Sequence, residues 1–227
     1  MSDIADIAVV GLTGQSGAGK TTVCRVFSEN GFAVINADSI ARDIMYAGSP
    51  CLTETAECFG KQVLNEDGSL NRKEMAKIIF KDKEKLLQYN AICYPYITYE
   101  ILSKIKHLAE NEERFVLLDA PTLFESRADD FCDLIISVTS NEDIRFSRIL
   151  NRDNLSKEQI LERFASQHSE KFFIAHSDFI IKNNKSIEEL IAKAKEVSEK
   201  VKEYYDAEKP QSNISNNNSC RINNRNN

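Results

Sequence analysis

Two runs of apolar, largely branched residues, Ile7–Leu12 and Leu134–Val138, and a third over Phe115–Leu118 that ends at Asp119, show no alternation with polar positions. Short continuous runs of this kind mark strands buried on both faces, as in the middle of a parallel sheet. Phe32–Ile35 and Phe179–Ile181 supply two further strand signals. Between them the period lengthens to that of a helix. Val23, Val26 and Phe27 share one face of a helix predicted over Lys20–Asn30 and stopped by Gly31. Asp38 starts a helix over Ser39–Tyr46, a charged helix runs over Glu142–Arg152, and another over Lys157–His168. Ser186 opens the last helix, with Ile187, Leu190, Ile191, Ala194 and Val197 on one face and Ser186 and Glu189 as a capping box. Strand, helix, strand implies a right-handed βαβ unit and a parallel sheet.

The stretch from Pro50 to Leu108 has a different character. Apart from the turn Asn65-Glu66-Asp67-Gly68 it is helical in period, with Met75, Ile78 and Ile79 on one face and Ile97, Ile101, Ile105 and Leu108 on another. It reads as a helical insertion between strands. From Pro210 onward the chain is rich in Asn and Ser and poor in apolar residues, which predicts a disordered tail over residues 208–227. The expected organisation is one α/β domain over residues 1–207. Its core spans residues 4–49 and 110–207, and its insertion residues 50–108.

At 227 residues the chain suits one α/β core with an insertion. The net charge of −6 disfavours a nucleic-acid partner held through phosphates. No apolar run approaches the ~18 residues that span a bilayer, and Met1–Asp6 lacks a basic region followed by an apolar stretch and cleavage site. None of the six cysteines forms a C-x-x-C pair or stands at zinc-ligand spacing from a histidine. They read as free thiols in a reducing compartment, so a cytoplasmic protein without a membrane partner is expected.

The chemistry begins directly after the first strand. Gly14, Gln15, Ser16, Gly17, Ala18, Gly19, Lys20 and Thr21 match G-x-x-x-x-G-K-[ST] at every fixed position and lead through Thr22 into a helix. Backbone N–H groups must converge on phosphate oxygens there, and a Cβ at the glycines would obstruct them. The helix aims its positive end at the same anion. Lys20 is placed for the terminal phosphates of ATP and the Thr21 hydroxyl for Mg²⁺.

Nucleotide binding alone names no reaction. Asp38 stands at the carboxyl end of the second strand, where parallel sheets place their ligands. It can take a proton from an attacking hydroxyl or hold Mg²⁺ through water; it can also simply cap the following helix. Arg145, Arg148 and Arg152 share a helix face, either a solvated charged row or the arginines of a lid that neutralise a phosphoryl group in transfer. Asp119 is either a second acidic magnesium ligand or a strand-end residue without catalytic role. The guanine-reading N-K-x-D segment of a GTPase is missing. The pattern points to transfer of a phosphoryl group from ATP to a small hydroxyl metabolite, with other small-molecule kinases and a non-catalytic nucleotide-binding module as alternatives.

Six segments in order carry a resemblance to the dephospho-CoA kinase family. They are Gly11–Gly14 leading into the phosphate loop; Asn36-Ala37-Asp38-Ser39-Ile40-Ala41-Arg42, similar to D-A-D-x-I-A-R; Tyr89–Pro95, similar to L-N-x-x-x-H-P; Pro121-Thr122-Leu123-Phe124-Glu125, similar to P-L-L-F-E; Arg148–Asp153; and Ser177–Asn183, similar to A-D-x-V-I-x-N. The resemblance covers about Ile7 to Tyr204 and implies a three-layer P-loop kinase fold with a helical acceptor domain and a lid over residues 143–169. It implies phosphorylation of the 3′-hydroxyl of dephospho-coenzyme A. Asp38 would be general base, Arg42, Tyr94, Leu123 and Glu125 would bind the acceptor, and Asn183 would lie near adenine. Asn36 replaces an acid that Asn cannot imitate in proton transfer. Tyr94 replaces a histidine, keeping a hydrogen-bonding aromatic ring without the positive charge. Thr122 replaces a leucine. The oligomeric state is left open.

Overall fold

The computed structural model describes residues 7–153 and 155–217, with backbone alone for residues 208–217. Strand β1 (Ala8–Gly14) is buried at every position because it is the centre of the sheet, paired on one side with β3 (Phe115–Asp119) and on the other with β4 (Leu134–Thr139). β2 (Ala33–Asn36) lies outside β3 and β5 (Phe179–Lys182) outside β4, so the order is β2-β3-β1-β4-β5, parallel throughout. Burial follows: β3 is buried at all five positions, whereas only Ile35 of edge strand β2 is.

Helices cover both faces. On one, α1 (Lys20–Glu29) and α9 (Ile187–Asn217) bury Val23, Val26, Phe27, Leu190, Ala194 and Val201 against Val10, Leu12, Leu117 and Ile136. Phe32 leaves α1 through Gly31 and packs edge-on against Phe27 at 4.8 Å, which makes it a core residue before the strand rather than the strand's first residue. On the other face, α2 (Ala37–Asp43) and α5 (Lys83–Glu110) bury Ile40, Ile101 and Ile105 against Val9, Val116 and Leu118. Burial of two opposite faces of one sheet is what lets its central strands be apolar without interruption.

Residues 50–108 contain α3 (Pro50–Phe59), α4 (Arg72–Ile79), most of α5, and an isolated bridge between Leu64 and Leu70 in place of a core strand. α3, α4 and the first half of α5 enclose a third apolar cluster around Leu52, Val63, Met75 and Cys93. Ile97 touches both this cluster and the sheet's, so one 28-residue helix, with Pro95 inside it, joins the insertion rigidly to the core.

After β4 come α6 (Glu142–Arg152), α7 (Lys157–Ala165) and α8 (Glu170–Ala175); the last is not evident in the sequence pattern, and α7 ends short of His168. Ile187, expected on the buried face of α9, is 51% exposed. Of the expected capping box, the Glu189 amide bonds the Ser186 hydroxyl at 3.4 Å. The backbone is helical through Asn217, so the predicted tail over 208–227 enters a helix, and residues 218–227, with Cys220, lie outside the described residues, as do residues 1–6. The five described cysteines are free. Among the described residues no helix is long and apolar enough to cross a membrane.

Candidate active site

The turn from β1 to α1 is shaped by glycine. Gly14 has φ 144°, and a Cβ on it would lie 2.2 Å from the Val138 carbonyl of the neighbouring strand. Gly19, the N-cap of α1, has φ 104°, and a Cβ there would lie 2.4 Å from the Asn183 amide. Neither position admits a side chain.

Three successive carbonyls of this loop are held from behind. Arg145 Nη1 donates to Ser16 O at 3.4 Å, Arg148 Nη1 to Gly17 O at 3.3 Å, and Asn183 Nδ2 to Ala18 O at 2.7 Å. Arg148 Nη2 also donates to the side chain and backbone oxygens of Asn183, at 3.2 and 3.3 Å. Of the loop's amides, Gln15 donates to Val138 O, Ser16 to Gln167 Oε1 and Ala18 to Gln15 O, while those of Gly17, Gly19, Lys20 and Thr21 have no acceptor among the described residues and are left for an anion.

In front of the loop lies a cleft of about 470 Å³. Of the predicted residues, Gly14, Gln15, Ser16, Gly17, Gly19, Lys20, Thr21, Thr22, Asp38, Arg148 and Arg152 line it. Pro121 and Gln167 line it too. Lys20 Nζ is paired with the buried carboxylate of Asp119, whose other oxygen accepts from Asn36 Nδ2 at 3.0 Å. Gln15 Oε1 is buried without a partner among the described residues.

Asp38 sits where two cavities meet. It lines the phosphate cleft and also a smaller cavity of about 50 Å³ formed with Ala37, Ala41, Tyr94, Thr98 and Thr122. It does not cap α2. Asn36 does, accepting from the Ser39 amide at 2.7 Å, because β2 and α2 meet at Asn36 rather than two residues later. The Asp38 carboxylate, exposed and without a partner among the described residues, remains available. Burial, with the Glu125 carboxylate adding to it, raises the Tyr94 hydroxyl above its ordinary range and keeps it a hydrogen-bond donor.

Other predicted residues are placed differently. Arg145 is buried, bonded through Nε to Ser140 O at 3.1 Å and stacked 4.1 Å over the Phe164 ring, so it braces the loop instead of facing the cleft. Burial lowers its pKa, as it does that of Arg148. Ala18 is fully buried in the core. Leu123 is also fully buried, against Gly11 and the sheet, and lines neither cavity; its neighbour Thr122 lines the smaller one. Arg42 is exposed and lines neither cavity. Glu125 turns to His168, 3.6 Å away. Arg152 bonds Asp153 at 2.7 and 3.0 Å. Asn183 additionally lines a cavity of about 150 Å³ with Lys182, Asn184 and Ser186.

Gln167 escapes the sequence reading because the helix expected to reach His168 stops at Ala165, which leaves Gln167 in the turn before α8. Asn36 was legible only as a departure from a motif. A cavity of about 610 Å³, larger than the phosphate cleft, opens behind α2 between Ile44, Tyr46, Pro95 and Tyr99, and contains none of the predicted phosphate-binding groups.

The dephospho-CoA kinase family model, CoaE, matches residues 8–189. The chain is 38% identical over 182 residues to the dephospho-CoA kinase of Carboxydothermus hydrogenoformans, covering 80% of this chain and 88% of that protein. It is 35% identical over 196 residues to that of Fusobacterium nucleatum, covering 86% and 99%. A dephospho-CoA kinase structure from Campylobacter jejuni superposes with a TM-score of 0.65 at 26% identity, over 85% of this chain and 96% of the other. TT1252 from Thermus thermophilus does so with a TM-score of 0.73 at 26% identity, over 84% and 96%. A parallel sheet in this order, a phosphate loop braced from behind and a match of this extent lead to one conclusion: the chain belongs to the dephospho-CoA kinase family.

Proposed function

We propose that this protein transfers the terminal phosphoryl group of ATP to the 3′-hydroxyl of dephospho-coenzyme A, the closing step of coenzyme A synthesis. Family membership supports the reaction, and the observation that carries the site reading is Asp38 lining both the phosphate cleft and the adjoining cavity. A base must stand beside the acceptor hydroxyl while that hydroxyl faces the phosphorus, and a residue at such a junction meets the condition.

In this reading the loop amides and Lys20 bind the β- and γ-phosphates. Lys20 exchanges Asp119 for phosphate as ATP enters. Asp38 takes the proton of the 3′-hydroxyl, held in the pocket beside Tyr94 and Thr122. Arg148 and Arg152 face the charge of the transferring group, and Arg145 and Asn183 keep the loop in shape. Catalysis is then largely positioning and charge neutralisation.

Mg²⁺ is a hard ion that takes a few protein oxygens beside phosphate and water. The Thr21 hydroxyl and the Asp38 carboxylate, which both line the cleft, and Asp119 beside Lys20 are such oxygens, and the donor set fits. The ion would supply charge neutralisation between the phosphates. The protein acts in the cytoplasm on soluble substrates.

The test is ADP release with ATP, Mg²⁺ and dephospho-coenzyme A, with coenzyme A identified by mass. Coenzyme A formation that disappears in Lys20→Ala is the expected result. ATP binding without turnover would move the acceptor to another hydroxyl metabolite, with Asn36 and Tyr94 as the altered residues; ADP release without coenzyme A is hydrolysis by water and would favour a nucleotide-binding module without transfer.

A further inference from the structure

The backbone N–H of Ser16, within the phosphate loop, donates to Gln167 Oε1 at 3.1 Å. Gln167 comes from the turn that closes the lid helices, 151 positions away, and its side chain lines the cleft together with Lys20, Asp38 and Arg148. The bond uses only the oxygen of the carboxamide. Among the described residues Nε2 has no partner. The next residue reaches the other way: His168 Nε2 lies 3.6 Å from Glu125 Oε1, in the segment that follows β3 and borders the acceptor cavity. Two consecutive side chains therefore run from the donor's loop to the acceptor's wall. The group that must pass between those two places is the terminal phosphoryl.

We propose that Gln167, fixed through Oε1 on the Ser16 amide, is a further substrate-contacting residue of the phosphoryl-transfer site and donates from Nε2 to an oxygen of the terminal phosphate of ATP. The proposal rests on the cleft being the ATP site. A carboxamide is suited to the place because it accepts at one end and donates at the other without net charge. A carboxylate there would keep the bond to Ser16 but repel the phosphate, and an arginine would have no acceptor for the amide. The contact is made with the terminal phosphate alone, so it distinguishes ATP from ADP.

Calorimetric titration of the full chain, Gln167→Ala and Gln167→Glu with Mg²⁺ and either ADP or the non-transferable analogue AMP-PNP tests this. Gln167→Ala should weaken AMP-PNP about 5- to 10-fold, the worth of one hydrogen bond, and leave ADP within about twofold. Gln167→Glu keeps the chain length and the Ser16 bond, and should weaken AMP-PNP at least as much. Equal weakening of both nucleotides would reduce Gln167 to a lid strut and overturn the proposal. So would a gain in AMP-PNP affinity in Gln167→Ala, which marks a placeholder that phosphate displaces, or wild-type affinity in Gln167→Glu. If the wild-type chain binds neither nucleotide, the ATP-site reading itself falls and the proposal with it; if it binds both and Gln167→Ala does not discriminate, only the proposal falls.

Discussion

Asn183 donates through Nδ2 to the carbonyl of Ala18 at 2.7 Å, across 165 positions of sequence, and accepts at the same time from Arg148. The residue that follows the last strand thereby fixes the conformation of the loop that follows the first.

Replacing Asn183 by Ala leaves the Ala18 carbonyl without its partner in a buried place. The expected loss is about 1–3 kcal/mol of folding stability, read from urea denaturation, together with weaker nucleotide binding because the loop loses its brace. Unchanged stability would mean that water replaces the amide without cost.

Lys20 and Asp119 form a pair with side chains 17% and 8% exposed. In Lys20→Met the reaction loses its phosphate cation, and turnover should fall by at least about 100-fold. The far-ultraviolet dichroism spectrum should be retained. The double variant Lys20→Met, Asp119→Asn should be more stable than Lys20→Met alone, since the single change strands a buried carboxylate.

Asp38 is exposed and tied to no other described residue, so Asp38→Asn should change stability by less than about 0.5 kcal/mol. Turnover should fall about 10²- to 10⁴-fold, the usual weight of a positioned base. Near-normal steady-state turnover would remove Asp38 from the base role.

Asp153 ties the end of α6 to α7 through Arg152 and Arg163, the latter at 3.0 Å, and hydrogen bonding by Arg152 above all lowers its pKa to about 2. A depressed carboxylate favours the folded state once it is ionised. The contribution is therefore full above the unfolded value of roughly 4 and disappears as pH falls toward 2. Thermal melting of Asp153→Asn should show a smaller decline between pH 4 and pH 2 than the wild type. Parallel curves would mean that the pair is already loosened by solvent.

What the chain determined by itself is what repeats along it or stands in fixed spacing. Uninterrupted apolar runs mark β1, β3 and β4 because both faces of the sheet are covered, and the glycines of the phosphate loop are dictated by the space a Cβ would take. Charged α6 is legible to the residue, and steps of three and four relate its arginines along the helix. The period could not say what each of them meets. Tertiary structure decided that Arg145 lies under the loop against Phe164 while Arg148 and Arg152 reach the cleft. It buried Leu123 and turned Thr122 to the cavity, and it made Asn36 rather than Asp38 the cap of α2, through a helix that starts two residues earlier than expected. It brought Gln167 to Ser16, a contact between two loops without period. Local spacing specifies which side of an element is buried; the identity of the partner arises only when segments more than a hundred residues apart are packed together, because that choice is made by shape and by hydrogen-bond satisfaction between them.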